Sequence, residues 1–507
     1  MGILEVKKFS NFKNKKKLTM SRKTFVILSV LALISFFLRS YLLSDNLFFG
    51  PEQGRDMLVI KDIVVNHKLT LIGSKTDIDG VFHGPIFYYL AVIPFFLSHG
   101  DPYYTALFFI FIQSITVYLV FLVTYELMQK RQPAYIAAII YTFSFASVVY
   151  ARWFSNPPLS IPFSLLFFLS VLRFLRGDVR YLFGIGIAYA FLGQAEFINY
   201  LFFAGIGLLL IIRYRSYLRK IPLMTLCFAA GFTLFLSIGN YVLFDVRHDF
   251  LITHNVLKLI LGGGNTTSFI DSGRVVFETF TNQIAYSIGL FSGGWGILLF
   301  SMIMFSLFSM RRKYKYLDIM MYWLIVPVLI LIMLRHNVLV QLFVGSIAGY
   351  CIGIALVVYW FIEKNRNIGV FVFICFITLT SYTYMLYIEK NSNMFFQSTQ
   401  PELRYKDQKN VVEYVYNESN GRPFFFQAYT IPYFWQDAWK YLFWYKGMKN
   451  KRTMPDEKYD DLLYVIIQKD RSNPRFQEDW YKGTVSSWGA IQSTKTFGEL
   501  TVEERIK

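Results

Sequence analysis

The sequence predicts a mainly α-helical, polytopic membrane protein of about eleven transmembrane helices, with in-plane helices in the first outer loop and a small C-terminal α/β extracytoplasmic domain. Three observations predict this. Of 507 residues, 55% are hydrophobic, 19% aromatic and only 17% charged, with a mean hydropathy of +0.40, whereas soluble chains carry about a quarter charged residues. Apolar runs of roughly 18 to 25 residues recur, each long enough to cross a ~30 Å hydrocarbon core. The basic residues fall in short clusters between those runs, as they do in cytoplasmic loops. A net charge of +18 is therefore read as a basic inner face, and nucleic acid is not an expected partner.

The first run, Phe25 to Leu43, follows Lys13, Lys15, Lys16, Lys17, Arg22 and Lys23. It is long and no small-residue cleavage site follows it, so it reads as an uncleaved first helix. Further basic clusters lie at Lys130–Arg131, Arg173–Arg180, Arg213–Lys220, Arg311–Lys315 and Lys364–Arg366. Keeping them all in the cytoplasm requires two crossings between neighbours. Helices near 24–43, 104–128, 133–150, 158–176, 181–195, 197–213, 221–243, 284–309, 317–334, 338–361 and 368–388 supply them. The N-terminus is then cytoplasmic and the C-terminus outside, in a multi-pass cell-membrane protein. The short stretch Pro85 to Leu97 would break the alternation if it crossed, and reads as an in-plane or re-entrant helix. Tyr181 to Ile212 is too long for one span, and its polar middle, Gly193 to Asn199, reads as a tight outer turn. Cys227, Cys351 and Cys375 all sit in apolar runs, as small buried side chains with neither disulfide nor metal-ligand spacing.

This topology leaves two large outer loops, about Ser44 to Tyr103 and Asn240 to Tyr286, and a polar tail from Glu389 to Lys507. The chain divides into a transmembrane domain, 1–388, and a soluble domain, 389–507. In the tail, Pro423–Ala428, Leu462–Gln468 and Ala490–Val502 alternate like strands, while Lys406–Tyr416 and Tyr433–Tyr445 read as helices.

The first outer loop opens with Gly50-Pro51-Glu52-Gln53-Gly54-Arg55-Asp56, followed by Met57, Ile60, Ile63 and Val64. Proline at the start and apolar residues at helical spacing predict an amphipathic helix at the membrane surface. Glu52 and Asp56 then share one face. Like charges so spaced repel by about 0.2–0.5 kcal/mol in water and by more in a drier site, which Arg55 offsets. The pair is either catalytic or an acidic first turn set against the helix dipole.

A second outer cluster is Phe244-Asp245-Val246-Arg247-His248-Asp249-Phe250. Arg247 and His248 suit a phosphate, since guanidinium binds it bidentately; the alternative is a juxtamembrane cap in which Asp245 pairs with Arg247. Arg335-His336-Asn337 is a weaker candidate of the same kind. All six histidines, at 67, 83, 99, 248, 254 and 336, fall outside without ligand spacing, so no metal is expected. Asp77-Ile78-Asp79 mimics the metal-binding pair of nucleotide-sugar transferases but lies where nucleotide sugars are absent. Gly262-Gly263-Gly264-Asn265 lacks the lysine of a phosphate loop. Asn417-Glu418-Ser419 is a glycosylation sequon only in a host that glycosylates there.

An acidic residue just after the first transmembrane helix, an in-plane helix and then a His/Lys-Pro-aromatic segment resemble the GT-C superfamily, in the branch of protein O-mannosyltransferases and lipid A aminoarabinose transferase. Pro51-Glu52-Gln53-Gly54-Arg55-Asp56 is similar to that branch's Pro-Asp-Glu-x-Arg-Tyr, and Phe82-His83-Gly84-Pro85-Ile86-Phe87-Tyr88-Tyr89 to its second motif. The resemblance extends as topology to residue 388 and as motif to these two segments. It implies a glycosyltransferase in which Glu52, with Asp56 beside it, deprotonates an acceptor hydroxyl. The hydroxyl displaces polyprenyl phosphate from a lipid-linked sugar with inversion. It further implies that Arg55, His83, Arg247 and His248 face the phosphate and that Asp245 contributes to substrate binding, with no cofactor required. The acceptor is a glycan, lipid or protein. Gly84 stands where some relatives carry a phosphate-binding lysine. In Arg152-Trp153-Phe154-Ser155-Asn156-Pro157, Asn156 replaces an acid; it can bind a sugar hydroxyl but cannot act as a base. The rival reading is a transporter or flippase for lipid-linked glycans, which would place charges within the spans.

Overall fold

A computed structural model describes residues 20–261, 268–335, 338–388, 403–452, 454–455 and 461–507. The basic run Lys13–Lys17, the Gly262–Asn265 loop, His336, Asn337 and the start of the tail at 389 lie outside the described residues. Nine described helices are long and apolar enough to cross a membrane: Arg22–Ser40, Pro102–Met128, Pro157–Leu175, Asn199–Leu218, Leu223–Arg247, Gly293–Met310, Leu317–Leu334, Val340–Lys364 and Arg366–Tyr387. The pair Arg131–Phe143 and Phe145–Ala151, bent by 55°, makes a tenth if it is one span. Tyr181–Ala195 has 15 residues and rises only about 22 Å. The expected count of eleven is therefore not reached on helix length among the described residues.

The helices end where local chemistry stops them. Ser21 caps the first helix by accepting from the Thr24 N–H at 3.2 Å. Gly289, at φ +76°, follows the Phe269–Ser287 helix, and Gly293–Met310 begins only after it. The run expected at 284–309 is thus split, because glycine adopts this left-handed backbone without a Cβ clash. The bend at Ser144 frees carbonyls that buried Arg39 collects: its Nη2 donates to Tyr141 O and its Nη1 to Thr142 O, both at 3.3 Å. Arg152 in turn donates from Nη1 to Arg39 O at 3.0 Å and to Tyr41 O at 2.7 Å, capping the first helix. Both guanidiniums sit at helix C-termini, where the backbone dipole favours a cation. Phe228, Phe235, Ile211 and Ile212 are exposed on helix faces, as expected where the solvent is lipid.

In the tail, β1 (Phe425–Tyr429), β2 (Leu462–Gln468), β3 (Ala490–Phe497) and β4 (Leu500–Ile506) form one sheet in the order β1-β2-β4-β3. β1 pairs parallel with β2, and the other pairings are antiparallel. The single run expected over Ala490–Val502 is a hairpin, turned at Gly498 with φ +60°. Helices Tyr405–Glu418 and Asp437–Asn450 accompany the sheet. The core here is not separate from the first outer loop. Leu47, Phe49, Met57, Ile60, Phe87 and Phe95 pack in one cluster with Tyr405, Trp439, Tyr441, Tyr464 and Val502. The backbones join as well, through Phe49 N to Leu403 O at 2.9 Å and Tyr405 N to Leu47 O at 2.8 Å.

Candidate functional site

The Pro51–Val65 helix starts as its sequence predicts, with Pro51 at its first position and the Gln53 side chain accepting from the Gly50 N–H at 3.1 Å. Glu52 is exposed on its first turn. Asp56 is buried: its Oδ1 accepts from Arg55 Nε at 2.9 Å and from the Tyr88 hydroxyl at 3.0 Å. Arg55 Nη2 lies 2.8 Å from the same oxygen. Burial lifts the Asp56 carboxyl to about 6, against the pull of Arg55. The two carboxylates expected to act as a pair therefore differ: Glu52 faces out, while Asp56 holds Arg55.

The Arg55 charge also reaches His83. Burial first, and Arg55 second, push the His83 imidazole down to about 4. Its Nδ1 accepts from the Phe197 N–H at 3.4 Å and lies 3.9 Å from Glu196 Oε1. A ring so held is neutral at physiological pH, and its proton falls on Nε2. It can donate a hydrogen bond, but it does not bring the positive charge expected of it.

Next to His83, Gly84 donates its N–H to Gln194 O at 2.9 Å. A Cβ at position 84 would overlap the Gln194 side chain and come within 2.9 Å of its Cα. No lysine fits there, which accounts for this departure from the motif. Asn156 is buried and donates from Nδ2 to Ser74 Oγ at 3.0 Å; its Oδ1 has no partner among the described residues.

Beyond Glu196 lies a cavity of about 600 Å³ between the 195–199 turn and the helices Asn199–Leu218, Leu223–Arg247, Leu251–Leu261 and Leu317–Leu334. Burial, then the nearby Asp77 carboxylate, raises the Glu196 carboxyl to about 8. Asp245 also lines the cavity. It accepts from Ile252 N at 2.8 Å and Thr253 N at 3.0 Å, and from the Thr253 hydroxyl at 2.6 Å, so it caps the Leu251–Leu261 helix. It does not pair with Arg247, which is exposed. His248 stacks on Phe244 at 3.9 Å, and neither Arg247 nor His248 lines the cavity. Thus Arg55, Asp56 and His83 come together, Asp245 joins the cavity, and Arg247 and His248 are exposed outside it.

Sequence reasoning missed Glu196, which it took for a turn residue, and set aside Asp77. The available signal was a lone carboxylate between two apolar helices. Among the described residues, no group of three or more His, Cys, Asp or Glu side chains is arranged to hold a metal ion.

Apolar helices, a helix bearing an exposed carboxylate after the first span and a docked α/β domain define a polytopic membrane protein. Among solved structures, the fold is similar to that of ArnT from Cupriavidus metallidurans. The form bound to undecaprenyl phosphate superposes with a TM-score of 0.62 at 10% identity, covering 95% of this chain and 97% of that one. The apo form gives 0.60 with the same identity and coverage. The archaeal oligosaccharyltransferase AglB from Archaeoglobus fulgidus, in complex with an inhibitory peptide and a dolichol-phosphate, gives 0.45 at 14% identity over 78% of this chain and 58% of that one. No family model and no curated protein matches the sequence.

Proposed function

We propose that this protein is an integral-membrane glycosyltransferase that moves a sugar from a polyprenyl-phosphate donor to an acceptor hydroxyl on the extracytoplasmic face, with inversion. The observation that carries the reading is Glu52, an exposed carboxylate on the first turn of a buried juxtamembrane helix, in a fold shared with a protein solved with undecaprenyl phosphate bound. Glu52 takes the acceptor's proton, and the freed oxygen attacks the anomeric carbon. The bond from that carbon to the phosphate oxygen breaks, and polyprenyl phosphate leaves with the bonding electrons. Arg55, half-buried and fixed by Asp56, and Arg247 on the outer surface supply positive charge to the departing phosphate. Neutral His83 contributes a hydrogen bond. The charge alternation of the loops supports an N-terminus inside and a tail outside.

The transporter reading draws no support from the buried charges, because Arg39 and Arg152 both donate to helix-end carbonyls. Replacing Glu52→Gln in the purified, reconstituted protein should lower transfer from a panel of polyprenyl-phosphate sugars by about 10²–10⁴-fold. Turnover equal to wild type would remove Glu52 from the role of base.

A further inference from the structure

The charges around the cavity beyond Glu196 are wrong for a phosphate. Its acidic lining residues are Asp77, Glu196 and Asp245, and among the described residues no lysine, arginine or histidine lines it. A phosphate entering would meet the Asp77 and Asp245 carboxylates in surroundings of low dielectric, where repulsion is least screened. The cavity is also open to lipid. Leu234, Ile238 and Val242 line it and are about half exposed on the membrane face of the Leu223–Arg247 helix.

Among its polar groups, two hydroxyls stand out. Ser237 and Tyr241 stand one turn apart on that helix, and therefore on one face. They are 2% and 6% exposed, and neither hydroxyl has a partner among the described residues. Buried hydroxyls are rarely left unpaired, and both line the cavity. They share the Glu196 end, which is the end that leads through His83 to Arg55 and the Glu52 helix.

We infer that this cavity binds the acceptor, and that the acceptor is an uncharged, hydroxyl-bearing lipid. Its headgroup hydroxyls pair with Ser237 and Tyr241, and its apolar chain lies along Leu234, Ile238 and Val242 toward the bilayer. The donor's phosphate stays outside, on the Arg55 side. A volume of about 600 Å³ is within the roughly 300–1,000 Å³ usual for small-molecule sites. The inference rests on the proposed transfer only for calling the occupant an acceptor; binding needs no turnover.

The test compares two probes with the same chain, octyl β-glucoside below its micellar concentration and octyl phosphate, on the full protein in nanodiscs. The glucoside is expected to bind at least tenfold more tightly. Tyr241→Phe and Ser237→Ala should each weaken it by about five- to tenfold while leaving octyl phosphate unchanged. Leu257→Trp, which narrows the cavity without touching the hydroxyls, should reduce glucoside binding as well. Equal or tighter binding of octyl phosphate, or glucoside binding untouched by Tyr241→Phe, overturns the inference. Glu52→Gln should retain the full discrimination. Loss of transfer beside intact discrimination is therefore the expected result for that variant, whereas full transfer beside intact discrimination counts against the proposed base and not against the cavity.

Discussion

Three hydrogen bonds at Asp245 decide what Arg247 is free to do. Because Asp245 caps the Leu251–Leu261 helix through Ile252 and Thr253, Arg247 contributes little to holding the fold. Arg247→Ala should therefore leave the melting temperature within about a degree, since exposed substitutions typically cost under 0.5 kcal/mol. Donor binding should fall by about ten- to a hundredfold, as for the loss of a charge-assisted hydrogen bond; a lowered melting temperature with intact affinity would return Arg247 to a structural role. Glu196 sets a second expectation. Its folded value of about 8 lies above the ordinary 4.5, so its stabilisation is complete below 4.5 and is lost as pH rises through 8. Asp56, raised to about 6, has the same sign but acts lower. His83, lowered from 6.5 to about 4, has the opposite sign, with stability present above 6.5 and lost as pH falls through 4. Between pH 6.5 and 8, Glu196 dominates among these three groups. Stability should fall there by up to about 1.4 kcal/mol per pH unit, and Glu196→Gln should flatten the melting curve across that window. The Glu52–Asp56 spacing was legible in the sequence. The division of labour between them was not, because only the fold buries Asp56 against Tyr88.

Among the elements, the contact between the Pro51–Val65 and Asp437–Asn450 helices most directly concerns the carboxylate. A Cβ at Gly54 would overlap the Cα and N of Ala438, so no rotamer change on the facing helix can make room. Gly54→Ala must push the two helices apart, and overpacking of this kind costs typically 1–3 kcal/mol. It should speed hydrogen exchange across 51–65 and lower the turnover number more than it raises the donor KM, since it displaces Glu52 without touching a cation. Unchanged exchange would show that the helices do not bear on each other. Apolar runs located most of the long helices, because such runs and their Pro and Gly boundaries are local, but the loop expected over Asn240 to Tyr286 instead holds the helices Leu251–Leu261 and Phe269–Ser287. Periodicity gave no sign that Gly54 is a contact residue, since the partner lies nearly four hundred positions away. The same limit hid the split at Gly289, where an apolar run continues past a backbone that cannot.

For the molecule as a whole, the shared core between residues 43–110 and 405–502 implies that the tail and the loop after the first helix stand or fall together. A chain ending at Ile388 should still insert its spans, but the loop bearing Glu52 should become sensitive to protease. Retained protection would mean that the loop folds alone. The orientation is checked separately by a reporter fused after Lys507, which should be active only outside. Composition made the membrane character plain; a core assembled from both ends of the chain leaves no periodic trace. That arrangement also sets a schedule. At synthesis rates of about 5–20 residues per second, roughly 300 residues separate the first outer loop from the tail that completes it. For some 15 to 60 seconds after the first helix is laid down, the apolar faces of Leu47, Phe49, Met57 and Ile60 wait beside the membrane without their partners. The loop that carries Glu52 is therefore among the first segments to be made and among the last to be finished.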